Sequence, residues 1–190
     1  MRRLVLLRHA PTAANRRAAF PVDEPLDARG AVAAAALRGR LPAHDDCYAG
    51  PSRRARETAR RAGLAPRDEP ALAECDFGAW RGRALAAVAE EDPTGLAAWM
   101  SDPAAAPHGG EPLTALADRV GRWLDAQAER QGAALAVTSG GPIRAAVVHA
   151  LGAPLEAMWR VEAAPLGVAE LHCHDGRWRL MRLNARAGER

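Results

Sequence analysis

The stretch Leu4-Val5-Leu6-Leu7-Arg8-His9-Ala10-Pro11-Thr12-Ala13-Ala14-Asn15 decides how this chain reads. Its four apolar residues, flanked by charge, are too few for an export signal and fit a buried strand. Directly after them come a guanidinium, an imidazole, a hydroxyl and an amide within one turn region. In an open α/β sheet, ligands bind beyond the carboxyl ends of the strands, so Arg8 and His9 stand where a ligand is expected. A neutral imidazole can attack phosphorus, and nearby guanidinium groups disfavour its protonation while holding phosphate through paired hydrogen bonds. An isolated Arg-His pair would serve as well to end a strand in solvent, so the reading depends on the rest of the chain.

Further strands are expected at Asp46 to Ala49, Leu135 to Thr138, Val168 to His172 and Trp178 to Leu183. Between the first four strands lie helical patterns. Asp27 to Leu41 is Ala-rich with an Asp cap, Ser52 to Ala62 begins at Ser and stops before Gly63, and Pro112 to Gln131 carries Leu113, Leu116, Val120 and Leu124. Alternating strands and helices predict an α/β fold with a mostly parallel sheet covered on both faces. Asp175-Gly176 is a hairpin turn signal, so at least one late strand runs antiparallel and the sheet is mixed. Pro and Gly are dense from Asp92 to Pro112, which reads as a loop-rich insertion over one sheet end. With no repeat of solenoid period, residues 1–190 are expected to form one domain.

The 190 residues, 48% of them hydrophobic, suffice for a sizeable core. No run of about 18 uncharged apolar residues is present, so no membrane span is expected. Cys47, Cys75 and Cys173 are scattered, form no CxxC pair and fit a reducing, cytoplasmic setting. The net charge of +3 hints at nucleic acid, yet all 26 basic residues are Arg, a bias that GC-rich coding explains. Aromatics make up 4% of the chain, and Glu57 interrupts the cluster Arg53, Arg54, Arg56, Arg60 and Arg61, so a surface for stacking single strands is not expected.

Four more segments join the first. Asp23-Glu24-Pro25-Leu26-Asp27-Ala28-Arg29-Gly30 precedes the first helix, and Gly50-Pro51-Ser52-Arg53-Arg54-Ala55-Arg56-Glu57-Thr58-Ala59 follows strand two and opens a helix whose positive end favours an anion. Leu72-Ala73-Glu74-Cys75-Asp76-Phe77-Gly78 supplies an acid, and Thr138-Ser139-Gly140-Gly141-Pro142-Ile143-Arg144 follows a strand after Gly110-Glu111. Together these segments resemble the histidine phosphatase superfamily, the phosphoglycerate mutase-like proteins, whose opening pattern Arg-His-Gly-x-Thr-x-x-Asn is matched by Arg8, His9, Thr12 and Asn15. The resemblance covers nearly the whole chain, and in compactness it is nearer to alpha-ribazole phosphatase-like members than to the mutases with their longer insertions.

The resemblance implies a three-layer α/β/α sandwich and a phosphomonoester hydrolase with a phosphohistidine intermediate on His9. Glu74 would be the proton donor, with phosphate held by Arg8, Asn15 and Arg54. No cofactor or metal is implied, and the partner would be a small phosphorylated substrate. Carboxyl groups ordinarily ionise well below neutrality, so the donor would rely on the bound phosphate dianion to keep its proton. Glu74 reads alternatively as a surface acid paired with Arg81 or Arg83, and Arg54 as one more member of a solvated helix face.

Two departures matter. Where the family pattern has His-Gly-Gly, this chain has Ser139-Gly140-Gly141, so Ser139 is the phosphate-binding group expected there; Ala10 stands in place of a glycine. Losing one preorganised donor typically costs about 10²- to 10³-fold in rate, and a neutral hydroxyl is a weaker donor than a charged imidazole. The rival reading is therefore a catalytically impaired phosphoester-binding module of the same fold. His108, on the loop before Gly109, is a conceivable replacement. His149 reads as a helix-surface residue, and His172 with His174 as part of a solvated hairpin rather than a metal site.

Overall fold

The computed structural model describes residues 1–187. Six strands, β1 (Arg2–Arg8), β2 (Asp46–Ala49), β3 (Arg67–Asp68), β4 (Gly132–Thr138), β5 (Gly167–His174) and β6 (Arg177–Arg186), form one sheet in the order β3-β2-β4-β1-β5-β6. β1 to β4 run parallel, and β5 lies antiparallel between β1 and β6. The mixed, mostly parallel sheet expected from the sequence is what forms. Asp175 and Gly176 both have positive φ, the twist that a two-residue hairpin turn requires.

Helices cover both faces, and the alternation of side chains along β1 assigns them. Leu4 and Leu6 face a core with Leu116, Val120 and Leu124 of α6 (Leu113–Ala128) and Ile143, Ala146 and Val147 of α7 (Gly140–Leu151). Val5 and Leu7 face the other layer, with Leu37 after α2 (Ala28–Ala35) and Ala55 and Ala59 of α3 (Arg53–Arg61). Asp27 caps α2 by accepting from the Gly30 amide at 2.7 Å, and Ser52 caps α3 through Ala55. The first of these helices stops six residues earlier than its composition suggests, because residues from Ala36 to Arg40 wind into turns that end near Gly39 at positive φ.

The segment from Asp92 to Pro112 is more ordered than its Pro and Gly content predicts. It opens with α5 (Pro93–Ser101), which follows α4 (Leu85–Glu91). Asp92 accepts from the Gly95 amide at 2.8 Å and Pro93 takes the first helical position, where the missing N–H costs nothing. α5 buries Trp99 in a satellite cluster with Phe20, Trp80 and Val88.

At the amino end of β1, Arg2 is buried and ties three elements together. It donates to Gln131 O at 2.7 Å, to Asp46 Oδ2 at 2.8 Å and to Gln127 Oε1 at 2.7 Å. Replacing it with Met leaves the buried Gln127 side-chain oxygen without this donor and removes one of the three arginines that hold Asp46. Arg2→Met is expected to lower unfolding stability by about 2–3 kcal/mol, read as a fall in the urea midpoint at unchanged slope; a loss below about 0.5 kcal/mol would contradict this role.

Candidate active site

Strand register brings the chemistry together. Arg8 of β1 pairs with Thr138 of β4, and Ala49 of β2 pairs with Val137, so three parallel strands end at one level. The His9 amide donates to Thr138 O at 2.8 Å and the Gly50 amide to Val137 O at 2.9 Å. His9, Ser139 and the start of α3 therefore converge. A Cβ on Gly50 would lie 2.4 Å from Leu72 O, so only glycine lets the segment carrying Glu74 cross these strand ends. Thr138 fixes that crossing by donating its hydroxyl to Leu72 O at 2.7 Å.

His9 is buried, with Nδ1 2.8 Å from its neighbour's carbonyl, Ala10 O, and Nε2 3.1 Å from Nε of Arg54. A carbonyl only accepts and a guanidinium only donates, so the proton sits on Nδ1 and the lone pair on Nε2. Burial, reinforced by Arg54 and Arg8, pushes the His9 pKa down to about 3. The imidazole is neutral at physiological pH. Ala10 has an ordinary backbone conformation, and its amide donates at 3.0 Å to the Thr58 hydroxyl, which donates in turn to Arg54 O at 2.8 Å. Thr58 thus couples the His9 turn to the helix that carries Arg54.

Arg54 is 3% exposed, whereas Arg53, Arg60 and Arg61 on the same helix face solvent. Beyond His9, it donates to Val22 O at 2.8 Å and to the Ser139 hydroxyl at 3.3 Å. Ser139 precedes α7 but leaves the helix amides uncapped, and its buried hydroxyl accepts from Arg54 instead. Arg8 is held by Ala163 O, and its Nε is buried without a hydrogen-bond partner. Burial draws the Arg8 pKa below its ordinary value, with Glu74 opposing that shift and Arg144 adding to it.

Glu74 reaches the same place from the opposite side. Oε1 accepts from the Cys75 amide at 2.9 Å and Oε2 from the Gly141 amide at 3.4 Å, and a Cβ on Gly141 would collide with the carboxylate at 2.1 Å. The alternative partners are engaged elsewhere, Arg81 with Asp76 and Arg83 with Glu91. Asn15 makes its hydrogen bonds within its own turn. Its amide oxygen accepts from both the amide and the hydroxyl of Thr12 at 3.2 Å, closing a capping box on the short helix α1 (Ala13–Arg16). That leaves only its amide nitrogen for an anion.

One supporting residue escapes a reading of the sequence. Arg119 of α6 binds both carboxylate oxygens of Glu111 at 2.7 and 2.8 Å, and donates to Ala71 O at 2.7 Å and Glu74 O at 3.3 Å. It anchors the backbone that carries the Glu74 carboxylate. Nothing near Arg119 in sequence signals this, because its partners lie eight and more residues away.

The other histidines stand elsewhere. His108 is buried against Trp80 and Phe77 at ring distances of 5.0 and 6.0 Å, with Nδ1 accepting from the Gly110 amide. His149 pairs with Asp125, His172 with Glu170 and His174 with Asp175. Among the described residues no group of three or more His, Cys, Asp or Glu side chains is arranged to hold a metal ion, and no helix is long and apolar enough to cross a membrane.

The family model of the histidine phosphatase superfamily (branch 1) matches residues 4–186. The alpha-ribazole phosphatase from Shigella flexneri superimposes with a TM-score of 0.85 at 30% identity, covering 97% of each chain. A mycobacterial glucosyl-3-phosphoglycerate phosphatase, solved in complex with inorganic phosphate, superimposes with a TM-score of 0.82 at 30% identity over 100% of each chain. The glucosyl-3-phosphoglycerate phosphatase of Mycobacterium tuberculosis is 37% identical over 131 residues, 62% of this chain and 56% of that protein.

The buried neutral His9 has a consequence for stability. Its folded pKa lies below the unfolded value, so the unfolded chain binds the proton more readily. The resulting destabilisation sets in as pH falls below about 6.5 and grows until about pH 3, by up to about 1.4 kcal/mol per pH unit. Urea unfolding at pH 7 and pH 4.5 should show a larger loss for the native protein than for His9→Gln. Equal losses would mean that His9 is not held neutral.

Proposed function

The chain belongs to the histidine phosphatase superfamily, and from that premise we propose that it hydrolyses small phosphomonoesters through a phosphohistidine intermediate on His9. The observation that carries this reading is the state of His9: buried, neutral, anchored through Nδ1, and presenting its Nε2 lone pair to Arg54. An imidazole in that state is a nucleophile that needs no prior deprotonation.

In the first step Nε2 attacks phosphorus and the bond from phosphorus to the leaving oxygen breaks. Glu74, in its protonated form, gives that oxygen its proton. In the second step water attacks the phosphohistidine, its proton passes to the Glu74 carboxylate, the P–N bond breaks, and phosphate leaves with His9 neutral again. Arg8 and Arg54 supply guanidinium donors for the phosphoryl oxygens, Asn15 offers its amide nitrogen, and Ser139 contributes a hydroxyl. Rigid supports surround the reacting groups, with Thr58 behind His9 and Arg119 behind Glu74. The phosphatase names of the relatives support a phosphoric ester as substrate.

Ser139 favours a second reading. Where a charged donor is replaced by a hydroxyl, transition-state stabilisation falls while ground-state binding persists, and the site becomes a phosphoester-binding module. One assay separates the two. The native protein should hydrolyse p-nitrophenyl phosphate without added metal, His9→Ala should abolish turnover, and Ser139→His should raise kcat by about tenfold or more. Native turnover no greater than that of His9→Ala, on this and other phosphomonoesters, would favour the binding module.

A further inference from the structure

A second cavity, of about 620 Å³, lies on the α2–α3 side of the sheet, and none of His9, Arg54, Glu74 and Ser139 lines it. Its volume falls within the usual range for small-molecule sites, about 300–1,000 Å³. Arg3, which lines it, stands five positions before Arg8 on β1, about 16 Å away along an extended strand. On this face the sheet changes character towards the amino end of β1. Leu7 and Val168 join the apolar layer, whereas the next row across the sheet is Val5, Glu170 and Arg182. Glu170 is buried, and its carboxylate lies 2.8 Å from both Arg3 Nε and His172 Nε2. It therefore fixes the Arg3 guanidinium through Nε and leaves the terminal nitrogens of Arg3 for a further acceptor. The connection formed by residues 39–43, beyond α2, supplies another wall, with Arg40 exposed on it. Among the described residues, four arginines (Arg3, Arg40, Arg182 and Arg186) and one carboxylate, Glu170, line the space. Positive charge is in excess, and a concave site concentrates its field.

We infer that this cavity is a second anion site, separate from the catalytic one, and that its ligand carries two or more linked phosphate groups. The cations stand on two walls, the sheet and the 39–43 connection, and an anion that meets both walls of a space this large is longer than one phosphate. Guanidinium groups hold phosphate oxygens through paired hydrogen bonds, and the excess of charge matches a polyanion better than a monoanion. Leu41, Pro42 and Val5 offer apolar surface to an organic group attached to the phosphates. A nucleoside triphosphate and inorganic polyphosphate share the required chemistry. The site is built from its own residues and does not depend on turnover at His9.

Calorimetric titration with tripolyphosphate tests the site. His9→Ala protein keeps hydrolysis out of the measurement, and excess orthophosphate occupies the catalytic site and competes as a single phosphate. Tripolyphosphate is expected to bind with Kd below about 1 mM, and adding Arg3→Gln or Arg40→Gln should weaken it by at least about tenfold each. Arg40 is exposed, so its substitution tests the site without disturbing the sheet. Arg60→Gln, an exposed arginine outside the cavity, should leave the affinity unchanged. ATP in place of tripolyphosphate distinguishes the sources: tighter binding assigns the apolar surface to the organic part of a nucleotide, and weaker binding assigns the site to inorganic polyphosphate. No binding up to about 1 mM overturns the inference. So does a smaller loss in either cavity variant, which would place the ligand at the catalytic site, or an equal loss in Arg60→Gln, which would make the attraction a diffuse effect of net charge.

Discussion

The pairing of β1 with β4, Arg8 opposite Thr138, is the constraint on which the site depends. Because both strands run the same way and end together, His9 and Ser139 emerge side by side, and the His9 amide completes the ladder on Thr138 O. The alternation of Leu4 and Leu6 against Val5 and Leu7 locks this register. A slip by one residue would exchange the two faces, each of which packs on a different helical layer. The placement of His9 and Ser139 therefore takes its precision from apolar packing in the centre of the sheet.

On that platform the charges constrain one another. Arg54 disfavours a proton on His9 and holds the Ser139 hydroxyl, while Arg8 and Arg144 repel each other and Glu74 partly offsets the excess. Two guanidinium groups, those of Arg54 and Arg8, act on one neutral imidazole, and Glu74 and Glu162 offset part of the charge at Arg8, an arrangement suited to an anion before any anion arrives. Such preorganisation is the usual source of electrostatic catalysis, because donors already in place need not reorganise in the transition state. The Ser139 hydroxyl adds a polar group to this arrangement but no charge.

Much of this was legible in the sequence, and the limits of legibility have physical causes. The strands were visible because a short apolar run bounded by charge has few other uses, and the hairpin because Asp175-Gly176 fits one turn type. Arg54 was separable from Arg53, Arg60 and Arg61 only through the position of Thr58, whose hydroxyl turns out to support the His9 turn. α5 was missed because Pro93 reads as a breaker until Asp92 is recognised as its cap. Arg119 and Arg144 act across the fold on carbonyls far away in sequence, and no local pattern encodes that. His108 shows the opposite case: its position on a loop suggested reach, whereas the aromatic rings of Phe77 and Trp80 enclose it.

The central claim is that the His9 imidazole carries the phosphoryl group. Rapid mixing of native protein with p-nitrophenyl phosphate, quenching into alkali, where phosphohistidine survives, and peptide mass spectrometry test it directly. The account predicts one phosphoryl group on the peptide containing His9, lost on acid treatment and absent from Ser139. Phosphorylation of Ser139 or of any other residue during turnover would contradict it.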